Sequence, residues 1–266
     1  MSLAEERDEI AIRECTTVAE FDACVALQRE AFGLPDLELS PRRHLIVARS
    51  AGGWTLGAFA GERLIGFVLN QVAVRRATGG GAEEIIGYSH MMAVAKDYQN
   101  RGVGSRLKWA QRARALGEGR RFIRWTWDPM QSRNAHFNLN RLGVVVRRYA
   151  ENYYGTDYST ATGEFGAPLG LDSDRLVAEW ELNAPRVEAL ARGETRAPGE
   201  THAPGEPRAA VEIPHDWSAL LRQDPAAARM ALFAVRRDFQ NALRAGFHCA
   251  GFEVNAPRPR YLFFSE

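Results

Sequence analysis

Residues 91–108 run Met91-Met92-Ala93-Val94-Ala95-Lys96-Asp97-Tyr98-Gln99-Asn100-Arg101-Gly102-Val103-Gly104-Ser105-Arg106-Leu107-Lys108. An apolar stretch suited to a buried strand gives way to a short polar turn, and the turn opens a segment of helical period. Gly102 and Gly104 permit unusual backbone angles and a close approach of ligand to main chain. The free amides of Arg101, Gly102, Val103, Gly104 and Ser105, reinforced by the helix dipole, converge on an anion. The spacing outlines a pyrophosphate cradle. It is not the dinucleotide fingerprint, whose third glycine is replaced here by Leu107, and the P-loop spacing is also absent.

Outward from this segment, the chain alternates strand and helix signals. Ile10 to Arg13 reads as a strand, and Thr16 or Thr17 caps a helix reaching about Phe32. His44 to Ser50, Trp54 to Ala60 and Arg63 to Ala73 read as successive strands, with a tight hairpin at Gly61-Glu62. Arg75 to Glu84, with Gly79, Gly80 and Gly81, is a hairpin loop leading to a strand over Ile85 to Val94. A helix from Val103 to about Leu116 ends at Gly117 and Gly119, and Phe122 to Trp127 is a buried strand. Ser132 or Asn134 caps a further helix ending near Gly143, before a strand over Val144 to Tyr149 and another over Arg175 to Leu182.

Residues 191–209 carry the near-repeat ETRAPG and ETHAPG, whose Pro, Gly and charge bury too little surface to order a chain. They are expected to link an α/β domain over 8–190 to a smaller unit over 210–266 that packs back on it. That unit shows helices at about Trp217 to Leu221 and Pro225 to Ala245, with strands near Phe247 to Val254 and Arg260 to Phe264.

The pattern Q-x-x-G-x-G, formed by Gln99, Gly102 and Gly104 after the Met92–Val94 strand, resembles the acyl-coenzyme A site of the GNAT superfamily of N-acyltransferases. The element order from Ile10 to Tyr149 resembles that family too, over a little more than half the chain. The resemblance implies an α/β fold of mixed α+β type, with a central, mostly antiparallel sheet flanked by helices. The C-terminal α+β extension suggests a less characterised branch. It further implies that acetyl-CoA or another acyl-CoA is cosubstrate, with Met92, Ala93 and Val94 pairing with the pantetheine arm. Asn100 to Ser105 would then hold the pyrophosphate, Gln99 would orient the loop, and Asn134 would contribute from the later helix.

The family's second feature is matched at Ala135, but the usual tyrosine that protonates the departing thiolate is replaced by Leu139. Tyr154, just beyond the following strand, is the substitute candidate, and Asn138 is a hydrogen-bond donor to thioester or substrate. His90 is the candidate base, acting directly or through water, and the Met92 amide is the candidate oxyanion donor. Arg106, Lys108, Arg112, Arg120 and Arg121 offer a surface for the coenzyme 3′-phosphate, or else a solvated helix face. Arg42, Arg43 or Arg175 would meet a carboxylate on the acceptor.

Composition narrows the remaining classes. The 266 residues carry 34 Lys plus Arg against 33 Asp plus Glu, a net charge of +1, so no global field draws the chain to nucleic acid or an anionic membrane. Cys15, Cys24 and Cys249 lack paired or metal-type spacing, and the histidines lack ligand spacing, so neither a disulfide framework nor a metal is expected. With no apolar signal core and no run of about 18 apolar residues, a cytoplasmic protein is expected. The expected partners are an acyl-CoA and a small-molecule amine such as an amino acid, receiving acetyl or succinyl, in a monomer or a homodimer. A coenzyme-binding regulator without catalysis is the rival that Leu139 suggests.

Overall fold

The computed structural model describes residues 9–33, 36–76, 82–156, 171–194, 205–255 and 258–265. Two compact units divide the chain, Met1–Arg120 and Arg121–Glu266. The boundary falls inside the 8–190 span expected as one domain.

In the first unit, β1 (Ile10–Glu14), β2 (Trp54–Ala60), β3 (Arg63–Arg76) and β4 (Glu83–Val94) form an antiparallel sheet in that order. Helix α1 (Val18–Phe32) starts at a capping box, in which Thr17 accepts from the Glu20 amide while the Glu20 carboxylate accepts from the Thr17 amide. It stops at Gly33, whose φ of 63° is a left-handed cap. One sheet face meets α1 and α2 (Arg42–Ser50) through Phe21, Cys24, Leu27, Leu45, Ala48, Phe67 and Leu69. The other meets α3 (Val103–Gly117) through Trp54, Leu56, Ile65, Val68, Val103 and Leu107. With both faces covered, β2 is buried along its whole length.

The segment expected as a strand over His44 to Ser50 is instead part of helix α2 (Arg42–Ser50). Its short β-branched run suggested a strand, but Leu45 and Ala48 are the buried pair and lie three residues apart, the helical spacing. Pro41 sits at the N-cap, where its missing N–H breaks no helical bond. The glycine run 79–81 lies outside the described residues, as does most of the 191–209 linker.

In the second unit the sheet order is β5 (Phe122–Trp127), β7 (Arg175–Glu181), β6 (Val145–Ala150), β9 (Phe247–Glu253), β10 (Arg260–Ser265) and β8 (Ala209–Glu212). The strand pairs resolved in this unit are antiparallel. β7 therefore inserts between its predecessors, and β9 joins the sheet beside β6 through the pair Val146 and Cys249. Helix α4 (Ser132–Ala135) runs directly into a wide-turned π segment over His136–Arg141. Its N-cap is Gln131, so neither Ser132 nor Asn134 caps it. Helix α5 (Pro185–Ala191), which the sequence pattern did not reveal, precedes α6 (Trp217–Gln223) and the long α7 (Pro225–Arg244). Asp216 and Asp224 cap these two helices through Ala219 and Ala227 amides at 2.8 and 2.9 Å. α7 packs Phe239 against Tyr149, Tyr261 and Phe263. The three cysteines are free and buried.

Candidate active site

The first unit builds an anion cradle where β4 ends. The Lys96–Tyr98 turn is tied down by the Lys96 amide donating to Glu30 at 2.9 Å and by the Arg63 and Asp97 ion pair at 2.8 Å. The Gln99 side-chain amide donates to the Val94 carbonyl at 3.1 Å, fixing the turn to the end of the strand. Asn100 at φ 61° and Gly102 at φ 80° then bend the chain through the left-handed region. The bond from the Arg106 amide to the Gly102 carbonyl opens α3, so the amides of Val103, Gly104 and Ser105 have no acceptor within the helix. A Cβ on Gly102 would meet no heavy atom within 4 Å, which leaves open space beside these donors. A Cβ on Gly104 would lie 3.4 Å from Met92 Cε, in ordinary contact with β4. This donor set fits a pyrophosphate.

Just upstream, β4 is irregular. Leu69 faces Met91 and Asn70 faces Ser89, so His90 is an extra residue, bulged out of register. Its Nε2 and Ser40 Oγ share a hydrogen bond of 3.1 Å. Ser40 is itself clamped by buried Gln28, which accepts from the Ser40 amide at 2.8 Å and donates to its carbonyl at 3.1 Å. The His44 ring meets His90 edge to face at 5.3 Å, and Gln71 Nε2 donates to His44 Nε2 at 2.6 Å. Part of the His90 ring is open to solvent. Desolvation by the atoms packed on its other side, helped by the nearby His44, lowers its pKa and favours the neutral imidazole. Sequence reasoning missed Ser40, His44 and Gln28, since a serine and a glutamine carry no spacing signal and His44 looked isolated.

One member of the basic surface expected for the 3′-phosphate, Lys108, is corrected. Lys108 is buried, donating to Ser89 Oγ at 3.1 Å and Gln111 Oε1 at 2.6 Å. Arg106 donates to the Ile10 carbonyl at 2.5 Å, and Arg120 to the Gly52 carbonyl at 2.7 Å. Helical period put Lys108 among outward arginines, but it lies one residue from Leu107 on the face that meets the sheet.

In the second unit, Asn134 is exposed, Asn138 is buried, and Leu139 is fully buried as a core residue. Asn140 is structural, exchanging two bonds with the Phe252 backbone at 2.7 and 3.0 Å. Tyr154 stands half exposed on a turn, its amide donating to Ser173 Oγ at 2.7 Å. The Arg175 guanidinium lies over its ring at 5.1 Å and also donates to the Asp174 carbonyl, so Arg175 is bound within the protein. Among the described residues no group of three or more His, Cys, Asp or Glu is placed to hold a metal ion, and no helix is long and apolar enough to cross a membrane.

Residues 21–143 match the family model of the acetyltransferase (GNAT) family. NAA60 of Arabidopsis thaliana, solved in complex with acetyl-CoA, superposes with a TM-score of 0.50 at 15% identity, over 65% of this chain and 99% of that one. The ribosomal-protein-S18-alanine N-acetyltransferase of Escherichia coli gives 0.49 at 14% identity, over 66% and 95%. An acetyltransferase of the GNAT family from Streptococcus pneumoniae gives 0.47 at 19% identity, over 64% and 98%. No curated protein matches the chain in sequence. At these identities the structural likeness concerns the fold.

Proposed function

We propose that the chain, which matches the family model of the acetyltransferase (GNAT) family over residues 21–143, moves an acetyl group from acetyl-CoA to the amine of a small molecule, such as an amino acid, by direct attack. The observation that carries this reading is the trio of amides at Val103, Gly104 and Ser105 that have no acceptor within the helix, beside the open flank of Gly102. Gln99 orients the loop, and the main chain of Met92, Ala93 and Val94 is assigned to the pantetheine arm.

Direct N-acyl transfer needs a deprotonated amine, a held carbonyl and a donor for the tetrahedral oxygen. His90 is assigned as the base. Its lowered pKa supports this, because a neutral imidazole is the accepting form at neutral pH. The Met92 amide is assigned to the oxyanion, Asn138 to a supporting hydrogen bond and Tyr154 to protonation of the leaving thiolate. Leu139, aliphatic and buried, has no proton to give. That same residue favours a second reading, a coenzyme-binding regulator without turnover.

Calorimetric titration with coenzyme A, acetyl-CoA, succinyl-CoA and NAD, followed by thiol release with an amine panel, separates these readings. Thioester binding with acetyl-dependent thiol release is the expected result; a preference for succinyl-CoA would change the donor alone. Binding without turnover supports the regulator. For the active enzyme, kcat/KM should fall on acidification with an apparent pKa below the ordinary histidine value of 6.5, and His90→Gln should remove that limb.

A further inference from the structure

We propose that Lys108 and Gln111, on the sheet-facing side of α3, are positioning residues that hold the β4 bulge and thereby set the placement of His90. The bulge lies between two paired positions, Leu69 with Met91 and Asn70 with Ser89. Lys108 Nζ donates to Ser89 Oγ at 3.1 Å and to Gln111 Oε1 at 2.6 Å, and Gln111 Nε2 donates to Asn70 Oδ1 at 3.0 Å. The helix thus grips both members of the strand pair that borders the bulge, one turn of α3 reaching β4 through lysine and β3 through glutamine. All four side chains are buried.

This grip matters because bulges can migrate. A slip by one residue would restore pairing at His90 and turn the neighbouring side chains to opposite faces of the sheet. The bonds to Ser89 and Asn70 specify one register, and that register leaves His90 beside Ser40 and His44. Burial also drives Lys108 well below the ordinary lysine pKa, which suits an amine among neutral hydroxyl and amide partners. The titratable group acting on His90 is His44 of α2, which Gln71 of β3 holds in place, while Ser40 contributes a hydroxyl. Since α3 also opens the anion cradle, one helix serves both coenzyme and base.

This inference rests on the acetyltransferase reading for its kinetic consequence but not for its structural one. The test uses Lys108→Met and the milder Ser89→Ala in the full chain, each checked for folding by circular dichroism. The His90 imidazole pKa is measured by NMR and assigned with His90→Gln. In both variants it should rise toward 6.5 as the ring leaves its packed site. In kinetics with acetyl-CoA, kcat should drop by about tenfold to a hundredfold while the coenzyme KM changes by less than about threefold. A folded Lys108→Met protein, or Ser89→Ala should Lys108→Met not fold, with the His90 pKa unchanged overturns the proposal. A shifted His90 pKa in a wild-type chain that turns over no thioester leaves the positioning role standing and refutes the activity instead.

Discussion

Lys108 in the first unit is buried and Arg236 in the second is partly buried, and their surroundings shift their pKa values in opposite directions. Lys108 meets Ser89 and Gln111, neutral groups that do nothing to offset desolvation, and its pKa falls. Arg236 also faces a desolvation cost, but hydrogen bonds and charge from Asp174 and Asp172 outweigh it and raise its pKa. Its Nη2 lies 2.6 Å from each carboxylate. Carboxylate partners offset the desolvation of a cation, and neutral hydroxyl and amide partners do not. The two networks also do different work: the first grips a strand irregularity in the proposed active site, while the second ties α7 to the turn that carries Tyr154.

The largest effect should come from Asp174→Ala. Asp174 accepts from Tyr149 Oη at 2.6 Å, the Asn152 amide at 2.9 Å, and Arg236 Nε and Nη2 at 2.8 and 2.6 Å. Removing it strands the buried Tyr149 phenol and leaves the Arg236 guanidinium still paired with Asp172 and Glu151, an expected loss of about 2–4 kcal/mol in chemical denaturation. Lys108→Met should lose less, about 1–3 kcal/mol, because Ser89 and Gln111 are neutral groups. If Lys108→Met proves the more destabilising, the contrast between the two networks is wrong.

Gly102→Val comes next and isolates the cradle. The site has room for a side chain, but a β-branched residue at φ 80° is strained by at least about 1–2 kcal/mol, and bulk beside the amides obstructs a phosphate. Coenzyme A affinity should fall by about tenfold or more in calorimetry. Unchanged affinity would remove the pyrophosphate assignment.

What could be read from the sequence follows the range of the interactions. Gln99, Gly102 and Gly104 announce the cradle because the physics is local: a strand end, a left-handed turn and a helix start within a few residues. Thr17 and Glu20 announce α1 for the same reason. The helix over Arg42–Ser50 was hidden, since its choice depends on which side chains the sheet buries. The insertion of β7 between β5 and β6 was equally hidden, as was the inward turn of Lys108. The Ser40, His44 and His90 cluster joins residues far apart in sequence, and no periodicity can foretell that meeting.

Glu20, partly exposed at the start of α1, extends the same comparison, and there the expected effect is smallest. Desolvation opposes its charge, but the amides of Thr16 and Thr17 and the Arg13 guanidinium outweigh it and hold the carboxyl at about 2. Because the folded pKa lies below the ordinary value of 4.5, the stabilisation is complete above 4.5 and is lost as pH falls toward 2. Solvent screens this surface group, so a capping-box contribution of about 1 kcal/mol is expected. Glu20→Gln should therefore unfold at a lower urea concentration than the wild type at pH 7, by the same margin at about pH 6, and by a narrowing margin below about pH 4.5. A margin that persists undiminished at about pH 3 would mean that the carboxylate charge contributes nothing to stability and that the glutamine amide simply fits the cap less well.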